Sequence, residues 1–171
     1  ESLYADSIYS PGVYRLHLNQ ADAQWVAVPG LPTWGYRAFA FTAGHGFAAN
    51  TTGIFHSVDD GATWTPLDIG GEADVADLLL TDQGLFAATN AGLRVSLDHG
   101  ATWKSAWKEG FQSGFALAES GGSLFAASDG IRRAKGPDQE WTRLHVLADS
   151  ISWLLSTETA VLAMTSGGNF V

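Results

Sequence analysis

The chain contains no cysteine, and only 16% of its 171 residues are charged. Without cysteine there is no disulfide, no thiol nucleophile and no zinc–thiolate site, and either an oxidising or a reducing compartment is compatible. So little charge, against a typical quarter of residues, is a poor composition for long surface helices, which need more Lys and Glu. Cations are scarcer still. Nine Lys and Arg oppose eighteen Asp and Glu, giving a net charge of −9, and they are scattered as Arg15, Arg37, Arg94, Lys104, Lys108, Arg132, Arg133, Lys135 and Arg143. They form no basic stripe in the sequence, so nucleic acid is not an expected partner. Long apolar runs are missing too; Ala76 to Leu80 is already interrupted by Asp77, and nothing approaches a membrane span.

What is present is glycine, 20 residues, and tryptophan, 7, in a chain that is 46% apolar. That is the composition of an all-β protein rich in tight turns, and one domain is the expectation at this length. The chain begins at Glu1, so an upstream segment is expected to have been cleaved, trimmed or left out, a signal peptide being one such segment.

The octet Ser57-Val58-Asp59-Asp60-Gly61-Ala62-Thr63-Trp64 returns 39 residues later as Ser96-Leu97-Asp98-His99-Gly100-Ala101-Thr102-Trp103. An Asp two residues before a Gly can turn its carboxylate onto backbone N–H groups of its own turn, the Gly can take a positive φ, and the hydroxyls can tie down neighbouring groups. The tryptophan then opens the next strand and brings a large surface to bury. Trp25, Trp64, Trp103 and Trp141 continue the period. A second series runs in phase: Gly46 to Ala49, Leu85 to Ala88, Leu124 to Ala127 and Val161 to Met164. So does a third: Gly12-Val13, Gly53-Ile54, Gly92-Leu93 and Gly130-Ile131. Three series in one register define a structural repeat.

Each unit reads as four short strands separated by Gly, Asn and Asp turns. In the best-preserved copy these are Val75 to Leu80, Leu85 to Thr89, Leu93 to Leu97 and Thr102 to Trp107. The first is the most apolar, as expected if it lines the centre and the fourth faces the rim. Asn19 to Ala23 has lost the octet spacing, although Asp22 can still cap a turn, and Ala134 to Glu140 keeps only a turn-forming character ahead of Trp141. The repeat units are expected at about 1–30, 31–69, 70–109, 110–147 and 148–171, the first and last incomplete. After Trp141, Ile151 to Ser156 and Val161 to Thr165 read as first and second strands, and Gly168 to Val171 as the opening of a third.

The octets resemble the Asp-box, Ser-x-Asp-x-Gly-x-Thr-Trp, of sialidases and bacterial neuraminidase-repeat proteins, and the chain resembles an Asp-box β-propeller over nearly its whole length. Two boxes are intact; two are degenerate. The resemblance implies an all-β propeller of four-stranded antiparallel blades, with each box as the hairpin between third and fourth strands, on the face away from the site. It also favours a secreted or periplasmic location. Second and third strands occur at both chain ends, so the chain is expected to be part of a larger propeller, or one completed by self-association.

Asp59 and Asp98 are open to reading as catalytic carboxylates or calcium ligands, but the flanking Gly, Ser and Thr favour turn capping. The structural set of the two boxes is therefore Ser57, Asp59, Gly61, Thr63 and Trp64, with Ser96, Asp98, Gly100, Thr102 and Trp103. The opposite face carries the loops expected to hold a site. Acids there are Asp68, Glu72, Asp74, Glu109 and Asp149; sugar-stacking surfaces are Trp34, Tyr36, Phe111 and Trp153. Two such carboxylates across a cleft would permit glycoside hydrolysis. The Arg-Ile-Pro signature of sialidases is missing, and Arg15 with Arg37 would not complete the arginine cluster that the resemblance implies for such an enzyme. His17, His45, His56, His99 and His145 share no metal-ligand spacing, and His99 is expected to face solvent. No metal and no cofactor are expected. The reading is a non-enzymatic scaffold recognising a protein or glycan through the face opposite the boxes; the alternative is a secreted glycoside hydrolase, sialidase-like or xyloglucanase-like.

Overall fold

A computed structural model describes residues 2–6, 12–19, 21–32, 35–71, 74–107, 115–128, 130–145 and 151–165. Among these every regular element is a strand. The first sheet holds β1 (Ser2–Asp6), β2 (Val13–His17) and β3 (Val26–Ala27). The second holds β4 (Ala38–Thr42), β5 (His45–Asn50), β6 (Gly53–Ser57) and β7 (Thr65–Leu67). The third holds β8 (Val75–Thr81), β9 (Gly84–Thr89), β10 (Gly92–Ser96) and β11 (Lys104–Trp107). The fourth holds β12 (Ala116–Ser120), β13 (Ser123–Ala127), β14 (Ile131–Ala134) and β15 (Thr142–His145), and the fifth β16 (Ile151–Ser156) and β17 (Val161–Thr165).

Each sheet is an antiparallel meander in chain order, and its first strand packs on the first strand of the next: β4 on β8, β8 on β12, β12 on β16. Meandering sheets joined through their first strands are the blades of a β-propeller. The second strand, rather than the first, is the most deeply buried. Phe47, Ala48 and Ala49 of β5, Ala87 and Ala88 of β9 and Ala126 and Ala127 of β13 are fully inaccessible. These strands have a hydrogen-bonded neighbour on each side and packed sheets on both faces, whereas the first strands lie at an edge of their own sheets. Fourth strands carry exposed Thr65, Pro66, Lys104 and Ser105.

The two octets close the β6–β7 and β10–β11 hairpins with one geometry. Asp59 Oδ1 accepts from the Thr63 N–H at 2.8 Å and Oδ2 from the Thr63 hydroxyl at 2.6 Å. The Ser57 hydroxyl donates to Asp59 Oδ1 at 2.8 Å and accepts from the Gly61 N–H at 2.8 Å. The second copy repeats each bond within 0.1 Å through Ser96, Asp98, Gly100 and Thr102. Asp60 and His99 both sit at φ 54°, followed by Gly61 at 79° and Gly100 at 90°, two consecutive left-handed residues of which the second is glycine. The Thr63 and Thr102 hydroxyl bonds, with help from their N–H groups, hold the Asp59 and Asp98 carboxyls down at about 2.

Trp64, 5% exposed, fills the space beneath its octet. Trp103 is partly buried against Phe47 and its neighbours. Trp25 departs from the expected pattern: it is 48% exposed beside the two-residue β3, because the octet that would fold its hairpin over it has been lost. The first sheet is instead held to the second by Tyr4 and Arg15, which both donate to the Asp60 carbonyl at 3.0 and 2.9 Å. Asp77 links third and fourth sheets at the first-strand level. A register shift between Val75 and Asp77 lets Oδ1 accept from the Leu78 N–H and Oδ2 from the Leu117 N–H of β12, each at 2.8 Å. Burial outweighs these bonds and pushes its carboxyl up to about 6.

Candidate functional site: a cleft on the octet face

In an antiparallel meander the first-to-second and third-to-fourth turns lie at one end of the sheet. At that end, between second and third sheets, is a cavity of about 460 Å³. Phe41 and Thr42 from the end of β4 line one side; Thr81, Asp82 and Gln83 from the β8–β9 turn and Leu97 and His99 from the second octet line the other. Phe41 and Leu97 are 42% and 57% exposed. Phe41 is positioned by Tyr4, stacked at 4.4 Å, and by Trp64 edge-on at 6.1 Å. Gln83 is held across the third and fourth sheets by its bond to the Gly122 carbonyl at 3.2 Å. Asp82 supplies an exposed carboxylate. The cleft thus offers two apolar surfaces, hydroxyls, one acid and one imidazole.

That imidazole belongs to a stack of three. His45 Nδ1 and His56 Nε2 are 2.8 Å apart in a hydrogen bond, and the His99 ring lies on His45 at 4.3 Å between centroids and 7° between planes. His56 in turn stacks on the buried Phe47 at 4.7 Å. One nitrogen of the His45–His56 pair donates and the other accepts, so the pair cannot both be protonated and keep the bond. Burial, then the neighbouring His45 and His99, lowers the His56 pKa below its ordinary 6.5. Sequence spacing missed this cluster. The signal was in the hairpin: the β5–β6 register sets Phe47 opposite His56, and His45, two residues before Phe47, shares its face. His99 is exposed as expected, yet it is an inter-sheet contact. The facing nitrogens of His45 and His56 are occupied by their mutual hydrogen bond, and among the described residues no group of three potential ligands could hold a metal ion.

The acids expected at the opposite end do not come together among the described residues. Asp68 caps its own turn by accepting from the Gly70 N–H at 2.8 Å. Asp74 is paired with Arg37 at 2.7 Å. Tyr36 packs into an aromatic group, stacked on Phe39 at 5.4 Å and edge-on to Phe55 at 6.2 Å, while Trp153 is 50% exposed on β16. Glu72, Glu109, Asp149, Trp34 and Phe111 lie outside the described residues. No helix among the described residues is long and apolar enough to cross a membrane.

No protein-family model and no curated protein matches the sequence. Solved structures do match the fold. The extracellular domain of the one component system BT4673 from B. thetaiotaomicron superposes with a TM-score of 0.74 at 17% identity, over 96% of this chain and 25% of that one. An ancestral GH74 enzyme gives 0.69 at 15% identity over 99% and 29%, and YCF48 bound to D1 peptide gives 0.66 at 12% identity over 94% and 57%. The chain therefore spans from a quarter to just over half the length of these proteins. At these identities the likeness shows a propeller fold.

Proposed function

We propose that the chain is a non-catalytic binding module of the Asp-box propeller class, taking a protein or glycan ligand in the cleft on the octet face. The observation that carries this reading is the use to which the carboxylates among the described residues are put. Asp59 and Asp98 are consumed by their own turns, Asp68 caps a turn, Asp74 is ion-paired, and the cleft holds the single acid Asp82. Most glycoside hydrolysis uses two carboxyl groups flanking one bond. The sequence directs a ligand to the opposite end; a cleft lined by described residues at the octet end supports a ligand there instead.

A propeller likeness to a peptide-bound protein, YCF48, is in keeping with a binding role; the likeness to a GH74 enzyme keeps the hydrolase alternative in view. A glycan and peptide array, run beside a turnover screen on aryl glycosides and xyloglucan, separates them. Binding without turnover that is lost in Asp82→Asn supports the module. Turnover abolished by Asp74→Asn overturns it.

A further inference from the structure

The polar groups that line the octet-end cleft differ in what they still have to offer. Ser96 is spent on its own octet, where it donates to Asp98 Oδ1 and accepts from the Gly100 N–H. The Thr81 hydroxyl accepts from the Gln83 N–H at 3.0 Å, and the Gln83 amide is turned to the fourth sheet, where its Nε2 donates to the Gly122 carbonyl. His99 has one ring face covered by His45. Asp82 differs from all of these. It is exposed in the β8–β9 turn and takes neither a hydrogen bond nor an ion pair among the described residues. Beside it, Leu97 is 57% exposed and lies across the same turn, where a Cβ on Gly84 would meet Leu97 Cδ2 at 3.0 Å.

The field around this pair is anionic. Asp59, Asp60 and Asp98 share the octet end of the second and third sheets with Asp82. The bonds inside the octets use the lone pairs of Asp59 and Asp98 but not their charge, and carboxyls held down at about 2 stay ionised through the neutral range. From Ala38 to Trp103 the one Lys or Arg is Arg94, and its guanidinium is turned to the opposite end, where it donates to the Gly70 carbonyl at 3.0 Å. Lys104 is drawn to the fourth sheet by its ion pair with Asp138, and Arg15 reaches the Asp60 carbonyl from the first sheet. A cleft walled by one sign of charge concentrates the other.

We propose that the octet-end cleft takes a lysine or arginine side chain projecting from an extended segment of a protein partner, with the charged head on Asp82 and the aliphatic stem along Leu97. The proposal rests on the reading of the cleft as a binding site, and it chooses the protein over the glycan. An ionised carboxylate only accepts hydrogen bonds, and long cationic side chains lay their methylenes along apolar surface while the head group stays at the wet edge. A sugar ring presents several hydroxyls that need donors and acceptors together. With Ser96, Thr81 and Gln83 engaged, it would find few of them, whereas a basic side chain needs one acceptor and one apolar surface. The cavity of about 460 Å³ is large enough, since small-ligand sites run from about 300 to 1,000 Å³.

The test is an amide NMR titration of the whole protein with a capped Ala-Ala-Lys-Ala-Ala peptide, the same peptide carrying Nε-acetyllysine, its Glu counterpart and a neutral xyloglucan oligosaccharide. The lysine peptide is expected to shift the amides of Thr81 to Gly84 and Leu97 to His99, and to bind more weakly as salt rises; the acetylated and Glu peptides shift neither group. Asp82→Asn should weaken binding about fivefold, the upper range for an exposed ion pair, and Leu97→Ser about threefold through lost apolar contact. Glu158→Gln removes the same charge from the exposed turn between β16 and β17 and should leave the affinity unchanged, which separates a site from general attraction to an acidic protein. If the oligosaccharide and not the lysine peptide shifts those amides, the cleft reading stands and the cationic assignment falls; amides that no probe shifts count against both. Equal binding of the acetylated peptide, wild-type affinity in Asp82→Asn, or equal losses in Asp82→Asn and Glu158→Gln would each overturn the proposal.

Discussion

Replacing Asp77 by Asn should remove most of the acid-side rise in the protein's stability. The native carboxyl titrates at about 6 against an ordinary 3.8, because burial between third and fourth sheets outweighs the two N–H groups it accepts from. Between those pH values the native state holds the proton and the unfolded chain does not, so stability falls as pH rises through the interval. A shift of that size corresponds to ~3 kcal/mol at most, and ~2 kcal/mol once residual solvent contact is allowed for. Asn cannot titrate. It also has one acceptor oxygen where Asp has two, so one of the Leu78 and Leu117 N–H groups loses its partner and the variant is about 1–2 kcal/mol less stable in acid. The assay is urea unfolding of both proteins at about pH 4.5 and about pH 7.5, comparing the change between the two conditions. Titrations shared by both proteins cancel in this comparison, including that of His56, which acts in the opposite sense. Over this pH range wild type should lose about 1–1.5 kcal/mol more than Asp77→Asn on going to the higher pH. Equal changes in the two proteins would refute the placement of a buried carboxylate at this junction.

His99→Ala removes one of the two imidazoles that depress His56, so the His56 midpoint followed by NMR should move up; an unmoved midpoint sinks the stack. Because the folded pKa of His56 lies below its unfolded value, its contribution to stability is present above the ordinary histidine range and is lost as pH falls through it. Gly84→Ala places a Cβ 2.7 Å from the Ser96 carbonyl at φ +136°, where backbone cannot yield as a side chain would. A loss of about 2–4 kcal/mol is expected, and a neutral result in denaturant unfolding would show that β9 and β10 are not in this register. Trp64→Ala should cost about 3–5 kcal/mol and Trp103→Ala, with a partly exposed ring, less; reversal of that order in thermal melts would contradict the packing under the two octets.

The third sheet was legible almost residue by residue. Its strands were expected at Val75 to Leu80, Leu85 to Thr89, Leu93 to Leu97 and Thr102 to Trp107, and are found at Val75–Thr81, Gly84–Thr89, Gly92–Ser96 and Lys104–Trp107. Turn chemistry is local, and the period aligns it. Burial was less legible, because a strand's depth depends on what covers both faces; hence β5, β9 and β13 proved deeper than the more apolar first strands. The cleft and the histidine stack required knowledge of which sheets adjoin: His45 and His56 share a hairpin face, but His99 meets them from 43 residues beyond His56. Asp77 announced itself only as a break in an apolar run, although a carboxylate in a strand that packs on both neighbours has to find donors there.

The principal contacts between sheets join first strands of units consecutive in the chain, β4 with β8, β8 with β12 and β12 with β16. Such a molecule has the energetics of a linear array, in which each unit's stability is its own plus that of its junctions. Its chain needs few distant encounters to begin folding, so ordering can start within any hairpin-rich sheet and spread in both directions. A lesion at one junction would then divide the array into two cooperative blocks rather than weaken it evenly, and hydrogen exchange resolved along the sequence would locate the break.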